Sequence, residues 1–301
     1  MNRVIVIGSS NTDMVVGADK IPSPGETIMG SDLEIIPGGK GANQAVAAAR
    51  AGADVVFVSK TGTDDFGRQA IEGYKRENID TSHIFTSPES PSGIALIIVD
   101  QNSGQNSIVV APGANSQLAP DEIKSIEKEI ERADALLIQL EIPVNTVEKS
   151  LQLANKLGIK TILDPAPAQK LSDSLLNLVD IITPNESETL ILTGVNPDSK
   201  ENIEKAARIL LEKINDTVII TLGAMGVYYH SKNGKSSYIP ASEVQAIDTT
   251  AAGDVFNGYL TAQLAGGQDL DTAIQRAIAA ASRSVGRKGA QTSIPFSHEL
   301  E

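Results

Sequence analysis

Ala135-Leu136-Leu137-Ile138-Gln139-Leu140-Glu141-Ile142-Pro143 opens a unit that continues through helix-spaced residues 144–157 to Thr161-Ile162-Leu163. A short apolar run without alternation marks a strand covered on both faces. A helix between two such runs is the usual link between neighbouring parallel strands. The same rhythm extends in both directions. Residues 4–7, 55–58, 135–138, 161–163, 181–183 and 218–221 read as buried strands, and 41–51, 65–77, 120–132, 144–157 and 202–213 have helical spacing. Two more helices, 253–264 and 270–287, close the chain. The predicted fold class is α/β: a mostly parallel central sheet sandwiched by helices.

Two segments interrupt this rhythm. Residues 13–36 and 92–110 hold strands with no helix between them, and the second carries a turn signal at Asn102-Ser103-Gly104. Both read as antiparallel pairs added to the main sheet. One reading is surface hairpins. The other is a small β-sheet lid, drawn from 11–37 and 92–112, over a site at the carboxyl edge of the sheet, where α/β proteins bind ligands. Ile94-Ala95-Leu96-Ile97-Ile98-Val99 is apolar on both faces, too apolar for a solvated hairpin. One face is expected to meet substrate and the other a second subunit, giving a homodimer through the lid.

No internal repeat, low-complexity tract or long linker divides the 301 residues, so 1–301 are expected to form a single domain. The formal net charge of −13 argues against nucleic acid or anionic membrane as partners. A polyanionic ligand must then be held by local devices: helix termini, a lysine or a metal. Cysteine is absent, which excludes disulfides, a thiolate nucleophile and cysteine-ligated zinc. His83, His230 and His298 are scattered, against a histidine metal cluster. Met1 leads into Val4-Ile5-Val6-Ile7 with no basic flank or cleavage site, and no apolar segment is long enough for a bilayer, so a cytoplasmic protein is expected.

Asp248-Thr249-Thr250-Ala251-Ala252-Gly253-Asp254 runs into the apolar Val255-Phe256-Asn257-Gly258-Tyr259-Leu260. Small residues at the mouth of a helix let a phosphate approach the free N–H groups of its first turn. A carboxylate there would repel a bound phosphate. It makes sense as a base taking the proton of an alcohol that attacks the phosphate. The plainer reading is a capped helix with Asp254 favoured by the dipole.

The dinucleotide glycine spacing is missing from Gly8-Ser9-Ser10-Asn11-Thr12-Asp13, and Gly38-Gly39-Lys40-Gly41 is not a P-loop. Instead Gly38-Gly39-Lys40-Gly41-Ala42-Asn43-Gln44 opens a long helix, with donors at Lys40 and Asn43. Asn11, Asp13 and Glu141 follow strand ends, and acceptors plus Lys and Asn amount to a sugar-binding set. Thr183-Pro184-Asn185-Glu186-Ser187-Glu188 places Asn185 and Glu188 on one helix face, either as a cap or to steer a hydrated magnesium ion. Thr221-Leu222-Gly223-Ala224-Met225-Gly226 is either a tight turn or a cradle for nucleotide phosphates. Carbonyls of the loop Arg287-Lys288-Gly289-Ala290-Gln291-Thr292-Ser293, with those near Asp248 and Thr250, form a possible monovalent-cation cage.

Taken together, these residues resemble the ribokinase-type family of carbohydrate kinases, over about residues 4–295. The regions 38–44 and 248–258 carry the resemblance most specifically. It implies ATP-dependent phosphorylation of D-ribose at O5; deoxyribose, another sugar or a nucleoside as acceptor, or an inactive sugar-binding protein, are the alternatives. It further implies Asp254 as general base, with Ala251, Ala252 and Gly253 as the anion hole. Asn11, Thr12, Asp13, Gly39, Lys40, Gly41, Ala42, Asn43 and Glu141 would bind the sugar, with lid contacts from Ala95 and Ile97. Asn185, Thr221, Leu222, Gly223, Ala224, Met225, Gly226 and Ile278 would hold ATP beside Gly253 and Asp254. Glu188 would organise magnesium through water. Asp248, Thr250, Ser284, Arg287, Gly289 and Ser293 would ligate potassium, mainly through backbone oxygens. Ile278 stands where relatives often carry Asn or His, and Ala251-Ala252-Gly253 replaces a more common Gly-Ala-Gly.

Overall fold

In a computed structural model, which describes residues 2–300, the buried apolar runs become strands and the amphipathic runs become helices. The strands are β1 (Arg3–Ile7), β2 (Asn11–Ala18), β3 (Glu34–Gly38), β4 (Asp54–Gly62), β5 (Ile84–Ser87), β6 (Gly93–Asp100), β7 (Asn106–Ala111), β8 (Ala135–Ile138), β9 (Lys160–Leu163), β10 (Ile181–Ile182), β11 (Thr217–Thr221), β12 (Val227–Ser231) and β13 (Ser236–Ile239). The helices are α1 (Lys40–Arg50), α2 (Asp65–Arg76), α3 (Pro120–Ser125), α4 (Glu127–Glu131), α5 (Val144–Leu157), α6 (Asp173–Leu176), α7 (Glu186–Thr193), α8 (Lys200–Leu211), α9 (Ala252–Ala265) and α10 (Leu270–Ser284).

Nine strands form the main sheet in the order β13-β12-β11-β10-β9-β8-β1-β4-β5. It is parallel from β5 to β11 and antiparallel at the β12 and β13 edge. Alternation of side chains along each strand divides the interior in two. Ile5, Ile7, Val56, Leu136, Ile138 and Val218 pack on one side against Ile123, Ile130, Val147, Leu151, Leu175 and Leu210 of helices α3, α4, α5, α6 and α8. Val4, Val6, Phe57, Leu137 and Ile219 pack on the other against α1, α9 and α10 through Ala45, Val46, Val255, Leu260 and Ala277. The predicted sandwich is therefore present. The continuous helix expected over 120–132 is instead two short ones that meet at Ile126, which is buried.

The interrupting segments are not antiparallel pairs added to the main sheet; the small separate β-sheet, the other expectation, is the one present. They form a separate four-stranded sheet, β3-β2-β6-β7. The outer pairs are antiparallel, but the central pair β2·β6 is parallel. The reason lies in β1, whose two edges are already taken by β4 and β8. The chain leaving β1 has no free ladder in the main sheet, so β2 pairs with β6 above its carboxyl edge. Register sets Asn11 opposite Gly93, Asp13 opposite Ala95 and Val15 opposite Ile97, so these residues share one face. On the opposite face Met14 lies between Ile35 and Leu96, and Leu96 is paired with Val109. Ile35, Leu96 and Val109 are more than half exposed there.

Helices α1 and α9 pack unusually close. α1 turns alanine towards its neighbours, with Ala42, Ala45, Ala47 and Ala48 fully buried. Each alanine buries less apolar area than a leucine, but it lets backbones approach. Gly258 of α9 completes the contact: a Cβ there would lie 2.5 Å from Ala47 Cβ and 2.7 Å from the Gln44 carbonyl oxygen. At the far end of α1, the Arg50 guanidinium donates to Glu77 and to the carbonyls of Gln291 (2.9 Å) and Ile294 (2.6 Å). One rigid rod thus links the sheet's carboxyl edge to the C-terminal loop. Gly258→Ala should force the two helices apart and cost about 1–3 kcal/mol of stability. Thermal unfolding checks this, and an unchanged melting temperature would show that the contact has slack.

Candidate active site

The amino ends of α1 and α9 converge on the carboxyl ends of β1, β8 and β9. Gly39, the residue before α1, has φ of 90°, and a Cβ there would lie 2.7 Å from the Asn11 backbone nitrogen. Only glycine takes this conformation without strain at such close range. It sets Lys40 so that its N–H donates to Glu141 Oε2 at 3.1 Å. Ser9 Oγ donates to the same carboxylate. On the next turn Asn43 Nδ2 donates to Asp254 Oδ2 at 2.9 Å, and Asn43 Oδ1 has no partner among the described residues.

Asp254 is buried in the first turn of α9. Burial raises its pKa, and the Lys40 ammonium and the Asn43 and Gln44 amides oppose that rise. Lys40 is held well above its ordinary value, chiefly by Asp254 and then by Asp164, Glu141 and Glu188. One ammonium therefore lies among four carboxylates. Burial, then repulsion from Glu141 and Asp254, pushes Asp13 from 3.8 to about 6. Its carboxylate accepts no hydrogen bond from the described residues, so its lone pairs are free for hydroxyls.

At the start of α9 no side chain caps the helix. Val255 N–H reaches Ala251 O at 2.9 Å and Ala252 N–H reaches Thr249 O at 3.3 Å, whereas the N–H groups of Gly253 and Asp254 have no acceptor among the described residues. The space above Gly253 is open. These are the conditions for anion binding at a helix terminus. Ala251 has φ of 62°, a left-handed conformation that costs a non-glycine residue roughly 1–2 kcal/mol.

Several predicted residues are placed differently from the rest. Ala42 is fully buried in the core and its N–H is given to Ser9 O, while Gly41 N–H goes to Ser9 Oγ, so neither faces the cleft with a free donor. Thr12 alternates to the face opposite Asn11 and Asp13. Asn185 and Glu188 form a capping box: Asn185 N–H and Nδ2 donate to the Glu188 carboxylate at 2.8 and 2.9 Å, and Glu188 N–H donates to Asn185 Oδ1 at 2.9 Å. The plainer reading of that motif is thus realised, but Glu188 is also buried, with its carboxyl raised by that burial.

Thr221 N–H donates to Pro184 O, which draws the 221–226 turn against the start of α7. Leu222 is buried and its N–H closes the turn on Gly226 O, whereas Ala224 and Met225 are exposed. Ile278 is buried on α10. Asp248 joins two loops, accepting from Thr250 N–H at 2.9 Å and Gly289 N–H at 2.8 Å. The hydroxyls of Ser284 and Ser293 are spent on Ala281 O and Ala290 O, and the Arg287 guanidinium turns to Glu299. Any cation in this loop cluster would meet backbone oxygens.

A family model described as pfkB family carbohydrate kinase matches residues 1–297. The chain belongs to that family. As a pfkB-family carbohydrate kinase it is an enzyme, and its relatives are similar over almost its whole length. It is 49% identical over 294 residues to a ribokinase of Haemophilus influenzae, covering 98% of this chain and 95% of that one. A deoxyribokinase of Salmonella typhi is 36% identical over 293 residues, covering 97% and 95%. The structure of an Arabidopsis thaliana ribokinase complexed with ribose and ATP superimposes with a TM-score of 0.91 at 29% identity, over 99% of this chain and 97% of that one.

Sequence reasoning passed over four residues that the hydrogen-bond network ties to this candidate site. Asn115 donates from Nδ2 to Asn11 Oδ1 at 2.7 Å and accepts from Ser10 N–H at 2.9 Å, fixing the amide of Asn11. Gln44, Gln139 and Asp164 are buried and hydrogen-bonded to one another or to Asp254. Asp164 and Gln139 follow the apolar strands β9 and β8, the position that had already singled out Glu141. The same rule applied to every strand would have found them. Asn115 sits in a short turn after β7 and carries no comparable signal.

Asp13 has a stability consequence. Below pH 3.8 it is protonated in both folded and unfolded chains. Between there and about pH 6 the unfolded chain loses its proton first, so stability falls as pH rises, and above 6 the full cost stands. A rise of about two units corresponds to about 3 kcal/mol. Asp13→Asn should therefore stabilise the ligand-free kinase at pH 7 by up to that amount and have little effect near pH 4. Denaturant unfolding at the two pH values measures the difference.

Proposed function

We propose that this kinase transfers the γ-phosphoryl group of ATP to O5 of D-ribose, with Asp254 as general base. The observation that carries the reading is a buried carboxylate, Asp254, held by Asn43 in the same first turn of α9 whose Gly253 and Asp254 N–H groups have no acceptor among the described residues. A base for an alcohol and a cradle for a phosphoryl group lie within one helical turn. Ribokinases among the relatives, one of them complexed with ribose and ATP, support the same substrates here.

Asp13, with free lone pairs, would accept two vicinal hydroxyls, while Asn11, Asn43 and Glu141 fix the rest of the sugar. The O5 proton goes to Asp254 as O5 attacks the γ-phosphorus and the bond to the bridging oxygen of ADP breaks. Gly253 and Asp254 N–H groups, and the Lys40 ammonium, meet the negative charge of the moving phosphoryl group. Ala95 and Ile97, on the face shared with Asp13, would close over the sugar and exclude water. We read residues 1–301 as one α/β unit, with 11–37 and 92–112 as lid. A second copy of the chain is the natural cover for the apolar outer face of Ile35, Leu96 and Val109.

No group of three acidic or histidine side chains among the described residues could hold a metal by itself. Magnesium fits this site only as a hydrated ion carried on the nucleotide phosphates, with Glu188 bonding its water. It would supply charge neutralisation on the phosphates. Potassium fits the donor set at Asp248, Thr250, Ser284, Arg287, Gly289 and Ser293, which offers oxygens from two loops that Asp248 ties together and from the end of α10. It would add positive charge near the start of α9. Asn185, Thr221, Gly223 and Gly226 would hold the rest of the nucleotide. Among the described residues no helix is long and apolar enough to cross a membrane.

Asp254→Asn should retain sugar and ATP binding by calorimetry while kcat falls roughly 10²–10⁴-fold. Near-normal turnover would remove Asp254 as base. In a coupled assay of ADP release across ribose, 2-deoxyribose, fructose and nucleosides, D-ribose should show the highest kcat/KM. A nucleoside preferred over ribose would overturn the acceptor assignment, and sugar binding with no ADP formed by the unmodified protein would overturn the activity.

A further inference from the structure

We propose that Gln44 is a positioning residue for the base, oriented by Gln139 and shared between Asp254 and Asp164. This rests on the reading of Asp254 as the base. Gln44 is fully buried, and its side-chain amide is the meeting point of four elements. Nε2 donates to Asp164 Oδ2 at 2.7 Å and to Asp254 Oδ1 at 3.1 Å. Oε1 accepts from Gln139 Nε2 at 2.6 Å. Both hydrogens and the oxygen are used, so the amide has one satisfied orientation. Flipped, it would aim its oxygen at two carboxylates and set two NH2 groups against each other.

The consequence for Asp254 is geometric. Asn43 holds one carboxylate oxygen and Gln44 the other, so rotation about the Cβ–Cγ bond is fixed. Each oxygen keeps a lone pair for the incoming hydroxyl. A base whose oxygen swings by an ångström loses alignment with the proton it must take. Gln44 also stands between two acidic groups that repel each other, and its two N–H groups draw both to fixed places. Gln139 touches neither carboxylate. Its part is to hold the Gln44 oxygen and so decide which end of the amide faces Asp254.

Gln44→Met keeps the length of the side chain and removes both donors. It should lower kcat about 10- to 100-fold, with KM for sugar and ATP within about threefold of the unmodified enzyme. Removing a donor from the ionised carboxylate should also move the acidic limb of the kcat–pH profile up by about one unit. The other titratable groups facing Asp254, namely Asp13, Lys40, Glu141, Asp164 and Glu188, are left in place by the substitution. Gln139→Met should give a weaker form of the same pattern, and the double variant should be no worse than Gln44→Met alone.

Unchanged kcat, a loss carried by KM, or additive losses in the double variant would overturn the proposal. If Gln44→Met does not fold, Gln139→Met decides: a lowered kcat with the limb moved up supports the role, and an unchanged kcat sinks it. Asp254→Asn, assayed in parallel, separates the two levels. Turnover retained there removes the base and this role with it. Turnover lost there, with kcat and pH limb untouched in Gln44→Met, removes only the positioning role.

Discussion

The contact of Gly258 with Ala47 and the Gln44 carbonyl is the constraint on which the site depends. Asp254 lies one turn before Gly258 on α9, and Asn43 and Gln44 lie one turn before Ala47 on α1. Bringing the two backbones together at the glycine brings the carboxylate onto the two amides. A wider spacing would leave Asp254 without donors on either oxygen, and the alanine-rich face of α1 exists to avoid it. Hydrophobic burial is sacrificed at these positions for proximity. The larger side chains of the strands and of α3, α5 and α8 supply most of the apolar burial instead.

The electrostatics of the cleft follow from the same convergence. Glu141, Asp164, Glu188 and Asp254 are gathered around Lys40, with Asp13 close to Glu141 and Asp254, and burial raises the carboxyls of Asp13, Asp164, Glu188 and Asp254 above their ordinary values. Such a cluster destabilises the ligand-free fold, the common cost of a preorganised site. Its chemistry also restricts what can enter. A triphosphate meeting Asp164 and Glu188 would be repelled unless its own charge were reduced beforehand, and a single ammonium cannot offset both the phosphates and the carboxylates. A nucleotide carrying its own counter-cation, as proposed for magnesium, would lower that barrier. A neutral polyol faces no such barrier and gains a set of free acceptors.

The main sheet was legible in the sequence because its strands are buried on both faces and read as unbroken apolar runs. The second sheet was legible as a small sheet of strands from 11–37 and 92–112, but the parallel pairing at its centre was not, since nothing in either segment announces that β2 will lie beside β6. Motif reasoning singled out Asp254, Lys40, Asn43 and Glu141, which sit in glycine-rich or strand-end contexts and which the structure brings together. It passed over Gln44, which belongs to the same helical turn, because a glutamine inside an apolar helix gives no hint that its amide meets two acids from other elements. Ala42 illustrates the converse: a run of motif residues covers every face of a helix, and Ala42 lies on the face packed into the core.

Ala251 shows how tightly the entry to α9 is determined. A left-handed alanine is expensive, and Asn78 is the one other non-glycine with positive φ among the described residues. Yet its carbonyl must accept from Val255, two residues earlier Thr249 O receives Ala252 N–H, and Thr250 N–H is tied to Asp248, which itself holds Gly289. With the chain pinned on both sides, the only conformation left at residue 251 is the one that turns it sharply into the helix. That turn leaves Gly253 and Asp254 N–H groups without acceptors and pointing in one direction. Strain at Ala251 and free donors at Gly253 are thus two sides of one backbone geometry. The loop containing Asp248 and Gly289 sets that geometry, and Arg50 fastens the following segment to α1, so the start of α9 and the amides that hold Asp254 are braced by the same helix.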